Sequence, residues 1–339
     1  MNRPRILVTG GTGFLGKRVI PLLREKFEVD VLSRSGTTEV QGDLTQWNAG
    51  LNLPALSKKN YALMLHMSGL YDLMKPKADC TLQNVSAMGT ALKVADLLKI
   101  PYFLSTSTVA AAINSSLNLV KPYDLNFTKP FPDAYSESKA WGEQVLQNWS
   151  SMNIKGRINL RLGVLVGDTK KGEIDRIDGP YYAAEAFKKI RQLIEHMPTP
   201  IPLPGSEKTR LPFVPVDVAA DAIVKFCEWT LSTEPGGYWS YHITPTEGAS
   251  VTELYSSALK KLAIPNKGVL LVDQLPEALT LKISKVVAKF PEEQLHYLLH
   301  FPLYDTTPTR EILGDRWCPE FSSYANTFWS GYEKFVSYR

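Results

Sequence analysis

Cysteine is scarce in this chain of 339 residues: Cys80, Cys227 and Cys318 are widely spaced and odd in number. That pattern excludes a disulfide framework and a thiolate metal site, and it fits a reducing compartment, so a cytoplasmic location is expected. A strong charge of one sign is also lacking, with 38 basic residues against 34 acidic ones and a net charge of +4. No Lys/Arg cluster is interleaved with base-stacking aromatics, so nucleic acid is not an expected partner. Long apolar runs are missing too. None approaches the roughly 18 residues of a membrane span, and Met1 leads straight into Arg5-Ile6-Leu7-Val8-Thr9, too short for a secretory h-region. Peripheral docking is the one route left to a membrane.

What is present is an ordinary globular composition, 44% hydrophobic and 21% charged. Short apolar runs at Ile6 to Thr9, Val29 to Leu32, Leu63 to His66, Tyr102 to Ser105 and Ile158 to Leu162 read as strands. Helix-length segments lie between them, notably Thr81 to Lys99 and Ala134 to Trp149. Such alternation implies right-handed crossovers and a doubly wound α/β fold, a parallel Rossmann sheet with a smaller mixed α/β substrate-binding domain. The predicted nucleotide domain spans 1–165 and the substrate region 166–339, with segments near 205–245 returning to the first. Tyr238 to Thr244 reads as a strand that rejoins the sheet, whereas the proline-rich Met197 to Pro204 reads as a loop.

Thr9-Gly10-Gly11-Thr12-Gly13-Phe14-Leu15-Gly16 sits between the first strand and an amphipathic segment carrying Val19, Ile20, Leu22 and Leu23. Gly10 permits a tight turn, Gly13 lets backbone approach a pyrophosphate, and Gly16 lets helix pack closely on strand. The helix N-terminus then offers unpaired N–H groups and a positive dipole end to the phosphates. Pro21 falls inside this helix, where it removes one hydrogen bond.

The second strand ends in Ser33-Arg34, where NAD-binding proteins place an acid on the ribose 2′-hydroxyl. The guanidinium fork of Arg34, with Ser33 and Arg18 as helpers, suits a 2′-phosphate, which favours NADP(H) over NAD. The alternative for Arg34 is a solvated surface residue. Asp43 and Leu44 follow the third strand, and Asp43 is expected at the adenine amino group. Asp30 lies too early for the ribose.

Tyr135-Ser136-Glu137-Ser138-Lys139 opens a helix, and the spacing of four sets Tyr135 and Lys139 on one face. A tyrosine of ordinary pKa is a poor acid–base group at neutrality unless a cation stabilises its phenolate. Lys139 is that cation. Leu104-Ser105-Thr106-Ser107-Thr108-Val109 brings hydroxyls to the C-terminal sheet edge, where ligands bind in such folds.

Together with Asn84-Val85, Gly89-Thr90, Arg161-Leu162-Gly163-Val164-Leu165-Val166-Gly167 and Arg210-Leu211-Pro212-Phe213-Val214-Pro215-Val216-Asp217-Val218-Ala219, these motifs resemble the extended short-chain dehydrogenase/reductase family over nearly the whole chain. The resemblance implies that Tyr135 exchanges the proton at the substrate oxygen and that Lys139 lowers its pKa and holds the nicotinamide ribose. It makes Thr106 a hydrogen-bond partner of the same oxygen, with Ser107 as competing candidate. Asn84 either orients a proton-relay water or caps a turn. Met67, Ser68, Leu162 and Val164 join the glycine loop in lining the cofactor site, with His66 read as packing.

Nucleotide-sugar dehydratases of this family carry Ser-Thr-Asp-Glu at that strand end. Here Ser107 and Thr108 replace both acids, which disfavours elimination. The stretch from Gly167 to Tyr182, and Leu303-Tyr304-Asp305-Thr306 with Thr309-Arg310, is similar to the thioester-reductase-like branch, with its male-sterility-type acyl reductases and polyketide-pathway oxidoreductases. The expected activity is reduction of a carbonyl or of an acyl-thioester on coenzyme A or a carrier protein. Sugars, sterols and flavonoid-type ketones stay open, as do a nucleotide-sugar epimerase and a non-catalytic NADP sensor, although such sensors commonly lose the tyrosine or lysine kept here.

Ser107, Tyr181 and Arg210 are candidate substrate residues; Tyr182, Trp239 and Trp329 could line a pocket but fit core as well. Leu275 to Lys289 has an amphipathic character that suits a lid, a membrane surface or ordinary packing. His296 and His300 lack the carboxylates that would complete a metal site, so no metal is expected. A homodimer is a further possibility.

Overall fold

The computed structural model describes residues 3–73, 75–272 and 297–338. Strands β1 (Arg5–Thr9), β2 (Glu28–Ser33), β3 (Val40–Gln41), β4 (Tyr61–His66), β5 (Tyr102–Thr108), β6 (Gly156–Leu162) and β7 (Gly237–Ile243) form one sheet. Its order is 3-2-1-4-5-6-7 and every pairing is parallel. The expected strands are all there, and Tyr238 to Thr244 does rejoin the sheet, Tyr241 pairing with Leu160.

Side-chain alternation decides the layers, because successive residues of a strand face opposite sides of the sheet. Ile6 and Val8 of β1, Leu63 and Leu65 of β4, and Leu104 of β5 pack on α1 (Gly16–Lys26), where Val19 and Leu23 meet them. Their neighbours Leu7, Met64 and Phe103 pack on the other face with Ala91, Leu92 and Val94 of α2 (Ala87–Leu97) and Leu146 of α3 (Ala134–Asn148). Helix α4 (Val216–Thr233) joins α1 through Ile223, Val224 and Phe226. Ile6, Leu7 and Val8 are fully buried, each contributing about 1.5 to 3 kcal/mol. Pro21 lies at an exposed position of α1, so the carbonyl left without its donor faces water.

A second core gathers residues from 109 to 113, 164 to 213, 249 to 264 and 298 to 332. Aromatic rings of α6 (Phe321–Ser337) fill it, with α5 (Val251–Lys261) alongside. Tyr181 stacks on Phe328 at 4.4 Å, and Trp329 meets Phe328 edge-on at 4.6 Å. Trp329 is therefore core.

One expectation fails here. Ile201–Pro204 is a strand, not a loop, and pairs in parallel with Val269–Val272. Ile201 and Leu203 are buried while Pro202 is exposed. The prolines take alternate positions of a two-stranded edge, where a missing N–H costs no ladder bond. The amphipathic segment Leu275 to Lys289 lies outside the described residues, as does His296.

The tightest seam joins the 167–172 loop to α6. Gly172 has φ +64°, and a Cβ on Gly331 would stand 1.7 Å from its carbonyl oxygen. Neither backbone can yield without moving a helix. We expect Gly331→Ala to destabilise the chain by about 1 to 3 kcal/mol, the usual cost of overpacking, seen as a lower urea midpoint. An unchanged midpoint would contradict this close approach.

Candidate active site

The sheet order reverses between β1 and β4, and such switch points open a crevice at the strands' C-terminal ends. The glycine loop fills that place. Gly10 has φ +74°, and a Cβ there would lie 2.5 Å from the Met67 carbonyl carbon; one on Gly16 would lie 2.3 Å from the Gly10 oxygen. Gly13 differs, since its Cβ would meet protein no nearer than 3.4 Å while its backbone lines the cavity. Open space therefore lies against the Gly13 backbone, where the sequence leads one to expect a pyrophosphate. The first turn of α1 has neither a side-chain cap nor an acidic residue, so its positive dipole end is uncompensated, while Lys17 N and Arg18 N donate to the Gly13 and Leu15 carbonyls.

Two cavities extend from this loop and share Gly10, Gly69 and Leu70. The smaller, about 330 Å³, has Thr12, Ser33, Arg34, Asp43, Leu44 and Ser68 in its wall. The larger, about 510 Å³, has Phe14, Leu15, Met67, Leu162 and Val164 beside the glycines, and beyond them Thr106, Tyr135 and Lys139. Expected adenosine-side and nicotinamide-side residues thus fall into separate but adjoining spaces.

At the smaller cavity Arg34 is exposed and has neither hydrogen-bond nor ion-pair partner among the described residues. Beside it the hydroxyls of Ser33 and Thr38 stand 2.7 Å apart, and Ser35 lies 3.1 Å from Ser33. Asp43 accepts from the Thr45 backbone and hydroxyl through Oδ1. Arg18 is not part of this group, because it pairs with Glu173 at 2.9 Å. Asp30 is held by Lys59 at 2.7 Å and Tyr61 at 2.6 Å, in mid-strand away from the ribose end.

At the larger cavity Asp133 caps α3 by accepting from Ser136 N at 2.7 Å, which fixes the turn that carries Tyr135. Burial pushes the Tyr135 phenol above its ordinary pKa, while the Thr108 hydroxyl and the charge of Arg176 act against that rise. Thr106, the expected partner, lines the same cavity, with Thr108 two residues beyond it. Both share one face of β5 because strand side chains alternate. Lys139 is half-buried, and desolvation lowers its ammonium to about 8, Glu143 opposing. A Cβ on Gly69 would come within 2.8 Å of Lys139 Nζ, so the glycine makes room for the ammonium.

Several expected residues have other duties. Ser107 lines the cavity, yet its hydroxyl donates to Glu143 at 2.5 Å and is spent there. Asn84 is in neither cavity wall. Its carboxamide exchanges hydrogen bonds with the Leu70 backbone at 2.9 and 3.1 Å and donates to Ser138 at 2.9 Å, a clasp between the cavity floor and α3. It sits in a π-turn at Leu82–Ser86 that interrupts the predicted helix. Arg210 turns back to its own loop, donating to the Glu207 carbonyl at 2.7 Å, and lies outside the cavity that Leu211 and Phe213 line. Tyr181 reaches the cavity wall but is 2% exposed, with its hydroxyl taken by Gly167 N. Trp239 is far more open, at 40% exposed. His66 bonds Thr9 at 2.8 Å and is held at about 3 by burial, so it is a neutral packing group. Among the described residues no cluster of His, Cys, Asp or Glu could hold a metal, and no helix is long and apolar enough to cross a membrane.

Sequence reasoning missed Tyr71, Arg176 and Tyr297. Tyr71 meets Tyr135 edge-on at 5.1 Å, Arg176 lies over Tyr71, and Tyr297 donates to Asp133 at 2.5 Å. Arg176 sits in the stretch that carried the family likeness; Tyr71 and Tyr297 belong to no motif.

A parallel 3-2-1-4-5-6-7 sheet, a glycine cradle at its switch point and a Tyr-x-x-x-Lys pair across the same cleft define an extended short-chain dehydrogenase/reductase, a class of NAD(P)-binding oxidoreductases and epimerases. Residues 30–223 match the family described as male sterility protein, and the chain belongs to it. Over 224 residues it is 25% identical to 3 beta-hydroxysteroid dehydrogenase type 7 of Mus musculus, spanning 56% of this chain and 58% of that protein's length. The fold is similar to the terminal R domain of the myxalamid PKS-NRPS biosynthetic pathway, with TM-score 0.76 and 19% identity across 99% of this chain and 92% of that one. It is also similar to a UDP-galactose 4-epimerase, with TM-score 0.66 and 16% identity across 98% and 99% of the two chains.

Lys139 is expected to cost stability. Its folded pKa of about 8 lies below a lysine's ordinary 10.5, so between these values the unfolded chain binds more protons and stability rises with pH. Below about pH 8 the cost of the desolvated ammonium is present in full. Lys139→Met should therefore stabilise the cofactor-free protein at pH 7 by an amount on the order of 3 kcal/mol, a gain that fades by pH 10.5. Urea unfolding at both pH values checks this, and a variant less stable than the parent at pH 7 would refute it.

Proposed function

We propose that the chain is an NADP(H)-dependent reductase of a carbonyl or an acyl-thioester. The observation that carries this reading is one cavity lined by Tyr135, Thr106, Thr108 and Lys139 next to the glycine loop. NADPH, when bound, supplies the hydride. The glycine loop and the start of α1 would hold its phosphates, Lys139 the nicotinamide ribose, and Asp43 the adenine.

The preference for NADP(H) rests on Arg34, an exposed guanidinium beside the Ser33, Ser35 and Thr38 hydroxyls at the smaller cavity. The end of the second strand itself carries no acid; the acids in that cavity's wall are Asp79 and Asp43, whose carboxyl the Thr45 amide and the Arg34 charge hold below its ordinary pKa.

Tyr135 donates its proton to the substrate oxygen as negative charge gathers there, and Thr108 and Lys139 favour the phenolate left behind. For a thioester the same phenolate takes the proton back from the hemithioacetal hydroxyl as the C–S bond breaks, giving aldehyde and a thiolate that takes its proton from water. A positioned acid is typically worth about 10²- to 10⁴-fold. Apolar walls at Val109, Leu211, Phe213, Leu254 and Phe301 favour a substrate with substantial apolar surface, such as an acyl chain or a fused-ring ketone. Both the R domain and the hydroxysteroid dehydrogenase lie in that direction.

Arg34→Ala should weaken NADPH by about 1.5 to 3 kcal/mol, roughly 10- to 150-fold, and NADH far less. Equal affinity of the unaltered protein for both cofactors, measured by fluorescence titration, would overturn the preference. Tyr135→Phe should keep NADPH affinity while single-turnover oxidation falls about 10²-fold or more with the best substrate from a panel of acyl-thioesters, aldehydes, ketones and nucleotide sugars. A near-native rate in that variant would remove Tyr135 from the chemistry.

A further inference from the structure

Opposite α3, residues Ile174 to Gly179 form part of the larger cavity's wall. Arg176 is fixed there by three contacts. Its Nε stands 2.7 Å from Asp178 Oδ2, its Nη1 donates to the Tyr71 carbonyl at 3.2 Å, and its guanidinium carbon lies 4.5 Å from the centroid of the Tyr71 ring. Tyr71 in turn meets the Tyr135 ring at 5.1 Å with planes 80° apart. Guanidinium, first ring and second ring thus form a stack that ends on the proposed acid, and all line one cavity with Lys139.

We propose that Arg176 is a positioning residue of the acid–base site, fixing the Tyr135 ring through Tyr71 and stabilising the Tyr135 phenolate by its charge across the cleft. This rests on Tyr135 as the acid. The groups facing that phenol set the balance. Against ionisation stand burial, the Asp133 carboxylate at the head of α3 and Cys80 from the helix Lys77–Thr81; for it stand Thr108 and Arg176. Lys139 lines the same cavity on the α3 side, and the phenols of Tyr71, which is 39% exposed, and Tyr297 line it too. Asp178 is the counter-charge that limits Arg176, and burial raises its own carboxyl pKa. A planar guanidinium stacks on a ring and donates sideways at once, whereas lysine supplies charge without the stack.

The test needs no substrate. Tyrosines are replaced by difluorotyrosine, a stronger acid whose ionisation falls where the fold survives, and the ¹⁹F resonance of position 135 is identified by its loss in Tyr135→Phe. In the full chain, Arg176→Gln should raise that resonance's midpoint by about one pH unit, and Arg176→Lys should recover part of the shift. Asp178→Asn should move it the other way, since it frees the guanidinium charge. A midpoint unmoved by Arg176→Gln overturns the proposal, as does one that Asp178→Asn raises; should Arg176→Gln not fold, the Asp178→Asn titration decides alone. Loss of turnover in Tyr135→Phe alongside an unmoved midpoint leaves the reductase reading standing and removes only Arg176.

Discussion

The buried ion pair between Glu143 and Arg161 holds the catalytic side of the molecule together. Both side chains are 1% exposed, and the guanidinium meets the carboxylate at 2.7 Å. Glu143 also accepts from Ser107, and Arg161 reaches His242 at 3.3 Å, so one carboxylate links α3 to β5, β6 and β7. Beyond it His242 contacts the Asp305 carbonyl, which ties the C-terminal region to the same point. A pair so deep survives because nearly all its donors and acceptors are matched; breaking such a pair typically costs about 3 to 5 kcal/mol. Glu143 lies one helical turn beyond Lys139 and two beyond Tyr135, so the anchor sets the face on which both stand.

The larger cavity sits at a seam between two cores. The nucleotide loop, α3 and β5 come from the Rossmann sheet, while Phe213, Leu254 and Phe301 come from the aromatic-rich core around α6. Charge is sparse where they meet: Lys139 is the cation on one wall and Arg176 the cation on the other, with Asp178 beside it. Asp178 and Lys139 are there against the cost of desolvation, which raises the Asp178 carboxyl and lowers the Lys139 ammonium. Such opposed shifts are common where groups are retained for proton transfer rather than for stability.

Local patterns carried much of this into the sequence. Continuous apolar runs such as Ile6 to Thr9 announce strands because a parallel strand covered on both faces buries every residue, and the glycines at 10, 13 and 16 announce a cradle because their backbones must bend or approach closely. Other features leave no local trace. Pro202 and Pro204 read as a loop because their partner strand, Val269–Val272, lies more than sixty residues away. Ser107 and Thr108 are adjacent hydroxyls on one strand, and which of them serves Tyr135 depends on the strand's rotation against α3.

By itself, then, the sequence determined the doubly wound class, the nucleotide loop and the Tyr135/Lys139 pair, since each is fixed by spacing within one element or one turn. Tertiary structure alone decided that Ser107 is spent on Glu143, that Arg210 turns away from the cavity, and that Thr108, Tyr71, Arg176 and Tyr297 surround the phenol. The Ser107–Glu143 contact spans 36 positions and the Tyr297–Asp133 contact 164. Their geometry comes from how helices and loops pack across the sheet edge, which no repeat or local spacing encodes.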